Sequence, residues 1–391
     1  MPIPPMRDFA LEVHFSRWEF AAKYNLAGSD CESIPLSALL ALASPADRAA
    51  FDGMSLGYTE TFGALALRTA IAQTYERVKP EDLLCLAGAQ EGIYLAMRVL
   101  LDGDDHAIAI TPNYQAAETV PLSICKVSGV PLDIERNWDL DLERIRAALR
   151  PNTKLISINF PNNPTGKIIP RATLDGLIDL CRCRGIWLFS DEVYRLIERD
   201  PARRLPQVAD LYERGISLNV MSKAYGLPGL RIGWLACRDR DALRRFERYK
   251  HYLSICNAGP SELLARIALQ ASEPILARNR NIVGHNLRLL NVFFADYAHL
   301  FDWHEPDGGC VGFIRYKGAD GVEEFTRALL EEAGVLLLPS SLYRSEVGPV
   351  PQDCLRIGFG RAHVPEAIAA LRAWMERRQK IPGLGTVPAG C

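Results

Sequence analysis

The chain has 391 residues, 48% hydrophobic and 24% charged, with a formal net charge of −2. Such a length suits one large domain plus a smaller one, and a near-neutral charge excludes a global attraction to nucleic acid or anionic lipid. Ten cysteines without a CxxC pair and seven histidines without HxxxH exclude the common zinc spacings, so no metal is expected.

The opening "MPIPPMRDFALEVHF" has no apolar core of a signal segment, and no later run reaches membrane-spanning length. With scattered, unpaired cysteines this points to a cytoplasmic protein with no membrane partner. From about residue 60 the pattern alternates. "TFGALALRTAIAQTYERV" has helical spacing, "LLCLAG" (83–88) is a short apolar run, and "AQEGIYLAMRVLL" reads as a helix. Strand-like runs follow at 107–112, 155–161, 186–192, 216–222 and 232–237, with helical patterns such as "RATLDGLIDLCRCRG" between several of them. Continuous apolar strands separated by helices predict an α/β fold with a mainly parallel sheet buried on both faces. Residues 240–300 read as long charged helices. "CVGFIRY", "GVLLLP" and "CLRIGFG" then read as strands of a smaller α+β unit, closed by "PEAIAALRAWMERRQ". The expected division is 1–45 as an amino-terminal arm with part of the small domain, 46–284 as the large domain and 285–391 as the small one. Residues 380–391, rich in Gly and Pro, are expected to form a mobile tail.

In an open parallel sheet, ligands bind beyond the carboxyl ends of the strands. The polar residues ending these runs are Ala89-Gln90 after Gly88, Tyr114, Asn163, Asp191 with Tyr194, and Ser222-Lys223. Lys223 is either a surface lysine or, if desolvated at the sheet rim, an amine of lowered pKa able to attack an aldehyde. Asp191 at the end of a buried strand needs a cationic partner, whether an arginine or a protonated pyridine nitrogen. Tyr194 can offer a hydroxyl to the same ring. "PNNPTGK" is a turn by its own chemistry, and a functional reading adds the Asn163 amide as a donor to a phenolate oxygen. "AGAQEG" can open a helix whose first amides hold phosphate, with Arg231 as a fixed cation. No GxxxxGK[ST] or GxGxxG is present, which argues against a P-loop or dinucleotide fold.

Together these motifs resemble the class I/II aminotransferases, fold-type I enzymes that use pyridoxal 5′-phosphate (PLP). The likeness runs from about Leu56 to Phe359, with "GYTETFGALALRTAIA", "GAQEG", "TPNY", "PNNPTG", "DEVY", "SKAYGLPGLRIGW" and "CLRIGFG" in the family's order. It implies a seven-stranded, mainly parallel sheet flanked by helices, with a smaller α+β domain. It implies Lys223 as the Schiff-base lysine, Asp191 as partner of the ring nitrogen, Tyr194 and Asn163 as holders of the ring oxygen, and Tyr114 as the stacking residue. Ala89, Gln90, Ser222 and Arg231 would hold the phosphate, joined by Tyr58 from the partner subunit of a homodimer with shared sites. Arg356 would clamp the substrate α-carboxylate, with Asn163 and the segment around Gly28 also facing substrate. The implied reaction moves an amino group between an α-amino acid and a 2-keto acid, with Lys223 as proton carrier.

Two positions depart from the family. Val220 stands three residues before the lysine, where Ser or Thr is usual, leaving the phosphate cup one hydroxyl short with Ser222 to compensate. The segment "YNLAGSDCESIPL" lacks the usual glycine-proline-aspartate wording. Asp30 and Glu32 in it read as solvated loop acids; should either face the pocket, a basic substrate side chain would be favoured. A lyase, or a cyclase of the capreomycidine-forming kind, shares the same cofactor residues. A non-catalytic PLP-sensing regulator would need an added DNA-binding domain, which is not evident before residue 56.

Overall fold

The computed structural model describes residues 6–379, so the tail expected at 380–391 lies outside the described residues. Seven strands form the main sheet: β1 (Leu83–Leu86), β2 (His106–Thr111), β3 (Lys126–Pro131), β4 (Thr153–Asn159), β5 (Trp187–Asp191), β6 (Gly215–Val220) and β7 (Gly233–Cys237). Their spatial order is β1-β7-β6-β5-β4-β2-β3. Pairing is parallel from β6 across to β3, while β7 runs antiparallel to both β6 and β1. This is the seven-stranded, mainly parallel sheet expected from the sequence.

Every residue of β1, β2, β5, β6 and β7 is buried, so these strands read as unbroken apolar runs rather than alternations. Successive side chains enter opposite faces: Ala107, Leu155 and Phe189 join one core cluster, and Ile108, Ile156 and Leu188 the other. The edge strand β3 is the one that the apolar runs do not disclose. Its exposure is mixed and only Val130 is buried. The loop at Val347 covers that edge, with Gly129 donating its N–H to the Val347 carbonyl at 3.0 Å.

A helix, α1 (Ala10–Trp18), forms in the amino-terminal arm; α2 (Ala89–Leu100) follows β1; α3 (Ser272–Asp296) is 25 residues long and runs unbroken through positions 284 and 285. Gly92 lets α2 lie close on the sheet, since a Cβ there would sit 2.5 Å from Leu218 Cδ1 and 2.9 Å from Leu86 Cδ1. That contact fixes the start of α2 at the sheet's carboxyl edge.

A second, antiparallel sheet holds β8 (Phe301–Asp302), β9 (Val311–Tyr316), β10 (Leu338–Pro339) and β11 (Cys354–Gly358), in the order β10-β11-β9-β8. The helices Gly321–Ala333 and Val364–Gln379 pack against each other beside it. The run "GVLLLP" divides between two partners. Leu338–Pro339 pairs with β11, and Val335–Leu336 pairs in parallel with Tyr24–Asn25. No helix among the described residues is long and apolar enough to cross a membrane, and no cluster of metal-binding side chains occurs among them.

Candidate active site

The parallel strands deliver the polar residues to one place. β5 ends on Asp191, with Tyr194 three residues on. β6 ends on Val220, ahead of Ser222 and Lys223. β4 ends on Asn159, and the following turn carries Asn163; Tyr114 lies three residues beyond β2. A cleft of about 1050 Å³ is lined by Gly28, Ala89, Gln90, Tyr114, Asn163, Asp191, Tyr194, Ser222, Lys223 and Arg231. Ten of the residues singled out from the sequence therefore share one cleft, at the strand ends where open α/β sheets bind ligands.

One end of the cleft is built for an anion. The cap of α2 is Gly88, at φ +95°, and no side chain caps the helix. Its first amides are left open beside the positive end of the helix dipole. Arg231 lies against them: a Cβ on Gly88 would sit 2.2 Å from Arg231 Nη2. The guanidinium is steadied by the Pro228 carbonyl at 3.2 Å and the Ala87 carbonyl at 3.3 Å. Ser222 supplies a hydroxyl to the lining, and Val220 presents only methyl groups there.

The other end gathers titratable groups. Lys223 Nζ donates to Ser29 Oγ at 2.8 Å and lies 5.7 Å from the Tyr194 ring centroid. Burial pushes the lysine pKa down, with Asp30 acting in the opposite sense. Burial also pushes the Asp191 carboxyl up to about 6, against the pull of the Val193 amide and of Lys223. Asp191 Oδ1 accepts from the Val193 N–H at 3.2 Å, and Asn159 Nδ2 donates to the Asp191 carbonyl at 2.9 Å. Asn159 Oδ1 in turn accepts the Asn163 N–H at 2.7 Å, so one side chain fixes both neighbours. Asn163 Oδ1 accepts from Arg356 Nη1, which leaves the amide Nδ2 as its free, donating end. The Tyr194 hydroxyl is buried without a partner, a costly arrangement unless a ligand completes it.

Tyr114 donates its hydroxyl to Glu12 Oε1 at 2.8 Å, and its ring lies 4.9 Å from Phe9. The residues before and after α1 and the helix itself thus roof the cleft, with Phe9, Glu12, Phe15 and Glu19 in its lining. Arg356 lies just behind the wall rather than in it. It is fully buried, bonded to Asn163 and to the Ala27 carbonyl, with Nε lacking a partner. Tyr58 is remote from this cleft; it is 93% exposed and lines a separate surface groove of about 500 Å³.

Asp30 is not the solvated loop acid expected, and Glu32 is half-buried. Both line the cleft. Asp30 is buried and accepts Arg361 Nε at 3.1 Å and Nη2 at 2.9 Å, and Glu32 accepts the Ala362 N–H at 2.7 Å. Sequence reasoning also missed Ser29, Asn159, Glu12 and Arg361. Asn159 had a signal, since it is the polar residue ending an apolar run; the others depend on long-range folding of the arm.

These side chains fit PLP. The open amides and Arg231 suit its phosphate, Asp191 its ring nitrogen, the orphaned Tyr194 hydroxyl and the Asn163 amide its ring oxygen, and Lys223 its aldehyde.

Comparison with known proteins gives a consistent picture. The family model described as aminotransferase class I and II matches residues 25–371. A capreomycidine synthase from Streptomyces vinaceus is 28% identical over 386 residues, covering 95% of this chain and 93% of that protein. An arginine–pyruvate transaminase from Pseudomonas aeruginosa is 30% identical over 336 residues, 81% of this chain and 82% of that one. A PLP-dependent aminotransferase from Streptococcus suis superposes with a TM-score of 0.88 at 31% identity, covering 96% of this chain and 99% of that chain.

Proposed function

This chain belongs to the aminotransferase class I and II family, whose cofactor is PLP, and on that premise we propose that it exchanges an amino group between an α-amino acid and a 2-keto acid. The observation that carries the reading is the meeting, in one cleft, of the Lys223 amine, the Asp191 carboxylate, the partnerless Tyr194 hydroxyl and the anion cradle of Ala89, Gln90 and Arg231.

PLP, when bound, supplies an aldehyde that captures amines and an electron-withdrawing ring that accepts the electron pair left at a substrate α-carbon. The chain does the rest. Arg231, Ser222 and the first amides of α2 hold the phosphate. Asp191 keeps a proton on the ring nitrogen, Tyr194 and the Asn163 Nδ2 donate to the ring oxygen, and Tyr114 backs the ring. Lys223, with its lowered proton affinity, takes the proton from the substrate α-carbon as general base and returns it as general acid. Arg356, just behind the wall, would receive the substrate carboxylate beside Asn163 by exchanging its bond to the Ala27 carbonyl for it. The arm around Gly28 and α1 excludes water above them.

A homodimer is part of the reading. Tyr58 is exposed together with Leu56, Tyr252 and Ile255, an apolar group that suits burial against a second copy, with Tyr58 reaching that copy's phosphate. A reducing compartment such as the cytoplasm suits the nine described cysteines, all free thiols. A cyclase or lyase reaction on the same cofactor is the second reading, supported by the likeness to capreomycidine synthase.

The deciding experiment follows the cofactor's visible band while amino acids, and then a keto acid, are added. Bleaching by one donor and recovery with a keto acid supports transamination. A shift with new product but no dependence on a keto acid moves the reading to a cyclase or lyase. A Lys223→Ala protein should bind PLP without turnover.

A further inference from the structure

We infer that the outer half of the cleft selects an amino acid whose side chain ends in a cation, a guanidinium or an ammonium, and disfavours dicarboxylic acids; this rests on the amino-acid-binding reading above.

Beyond the residues assigned to the cofactor, the cleft is lined by four carboxylates, Glu12, Glu19, Asp30 and Glu32, and by one permanent cation, Arg361. All four carboxylates come from the amino-terminal arm, Glu12 from α1 and Glu32 from the segment after Gly28. Arg361 is already occupied. Asp30 accepts from its Nε and Nη2, and Glu19 stands 3.6 Å from Nη2. Asp30 is 8% exposed. Drawing Arg361 onto a substrate carboxylate would strand that acid, an outcome that costs more than the pair is worth. A second acidic group on the substrate therefore finds no available guanidinium here.

Glu12 and Glu32 are the opposite case. Glu12 receives only the neutral Tyr114 hydroxyl and Glu32 only the neutral Ala362 amide, and neither forms an ion pair among the described residues. The outer cleft thus holds a formal excess of three negative charges before a substrate arrives. Glu12 is exposed and Glu32 half-buried, so water screens part of this field, but a cation placed there still offsets it while a carboxylate adds to it. These carboxylates line the same cleft as Lys223, whose amine bonds Ser29 in the segment that carries Asp30 and Glu32, so their field acts on an amino acid held at that lysine.

The test is equilibrium binding to the PLP-loaded enzyme, read from the cofactor band at low ionic strength. The ligands are L-arginine, L-lysine, L-norleucine (lysine's chain without the ammonium) and L-aspartate. Lysine or arginine should bind at least about 5-fold more tightly than norleucine, and aspartate most weakly. Glu32→Gln and Glu12→Gln keep the hydrogen bonds to Ala362 and Tyr114, and each should shrink the preference without changing norleucine affinity. Norleucine binding as tightly as lysine and arginine, or aspartate binding more tightly than either, overturns the inference. A preference for cations without any keto-acid-dependent turnover would leave it standing and sink transamination. Turnover that favours a neutral or acidic amino acid would do the reverse.

Discussion

Arg356 reaches out of the small sheet to Asn163, its Nη1 donating to Oδ1 across 3.1 Å, with both side chains buried. The contact links β11 to the turn after β4 and points the Asn163 Nδ2 toward the cleft. Lysine cannot reproduce the planar fork that spans an amide and a carboxylate. Arg356→Lys should raise KM for the amino donor at least about 10-fold with a smaller change in kcat. Steady-state kinetics beside thermal melting checks it: a fall in Tm with KM unchanged would make Arg356 a structural residue only.

Asp191 sets a pH dependence. Its carboxyl rises from 3.8 to about 6 because burial disfavours the charge. In the cofactor-free protein the neutral form is favoured below that value, whereas a cationic ring nitrogen needs the carboxylate. PLP affinity should therefore fall as pH drops below about 6, by up to ~10-fold per pH unit, and be level above it. Asp191→Asn should abolish the slope and bind more weakly throughout. For stability the sign is separate. A raised folded-state pKa stabilises the cofactor-free protein fully below 3.8, and that contribution is lost as pH rises through about 6.

Gly88 tests the anion cradle. An alanine there meets Arg231 Nη2 and must adopt a φ of +95°. The strain should cost about 1–3 kcal/mol. Displacement of Arg231 should weaken PLP several-fold while leaving phosphate-free pyridoxal unaffected. Equal losses for the two ligands would show that the cradle does not hold phosphate.

Tyr58 tests the shared site. A Tyr58→Phe variant should bind PLP more weakly even though the residue lies on another surface of its own chain. Equimolar mixing of Tyr58→Ala and Lys223→Ala subunits should restore about a quarter of wild-type sites, because each hybrid dimer regains one intact cleft. No recovery after verified subunit exchange would place Tyr58 outside the neighbour's cleft.

Much of the site was legible because strands buried on both faces are continuous apolar runs, and the first polar residues after them must lie at the sheet edge. Asp191 and the Ser222-Lys223 pair followed from that rule as positions, their roles only from the family resemblance, and Asn163 lies four residues past the true strand end, Asn159, which was passed over. β3 escaped it, since an edge strand covered by one loop needs few apolar residues, and Lys126, Ser128 and Gly129 do not look like a strand. Asp30 was misread for a different reason. Its partner, Arg361, stands 331 positions away, and no local pattern reveals a pairing that only the finished fold creates. α1 was likewise hidden, because its inner face, with Leu11 and Phe15, meets the second core cluster only once the arm has folded back over the cleft.

The cleft wall is stitched from both halves of the chain's length. The Gly358 N–H donates to the Leu26 carbonyl at 2.6 Å, the Glu32 N–H to the Gly360 carbonyl at 2.8 Å, and Arg361 closes onto Asp30. Lys223 and Asp191 stand at strand ends of the main sheet, whereas the wall from Gly28 to Glu32 is held by residues 358–361. The roof over the catalytic lysine is therefore a clasp whose two jaws lie more than three hundred residues apart, and loosening either jaw opens the same stretch from Gly28 to Glu32.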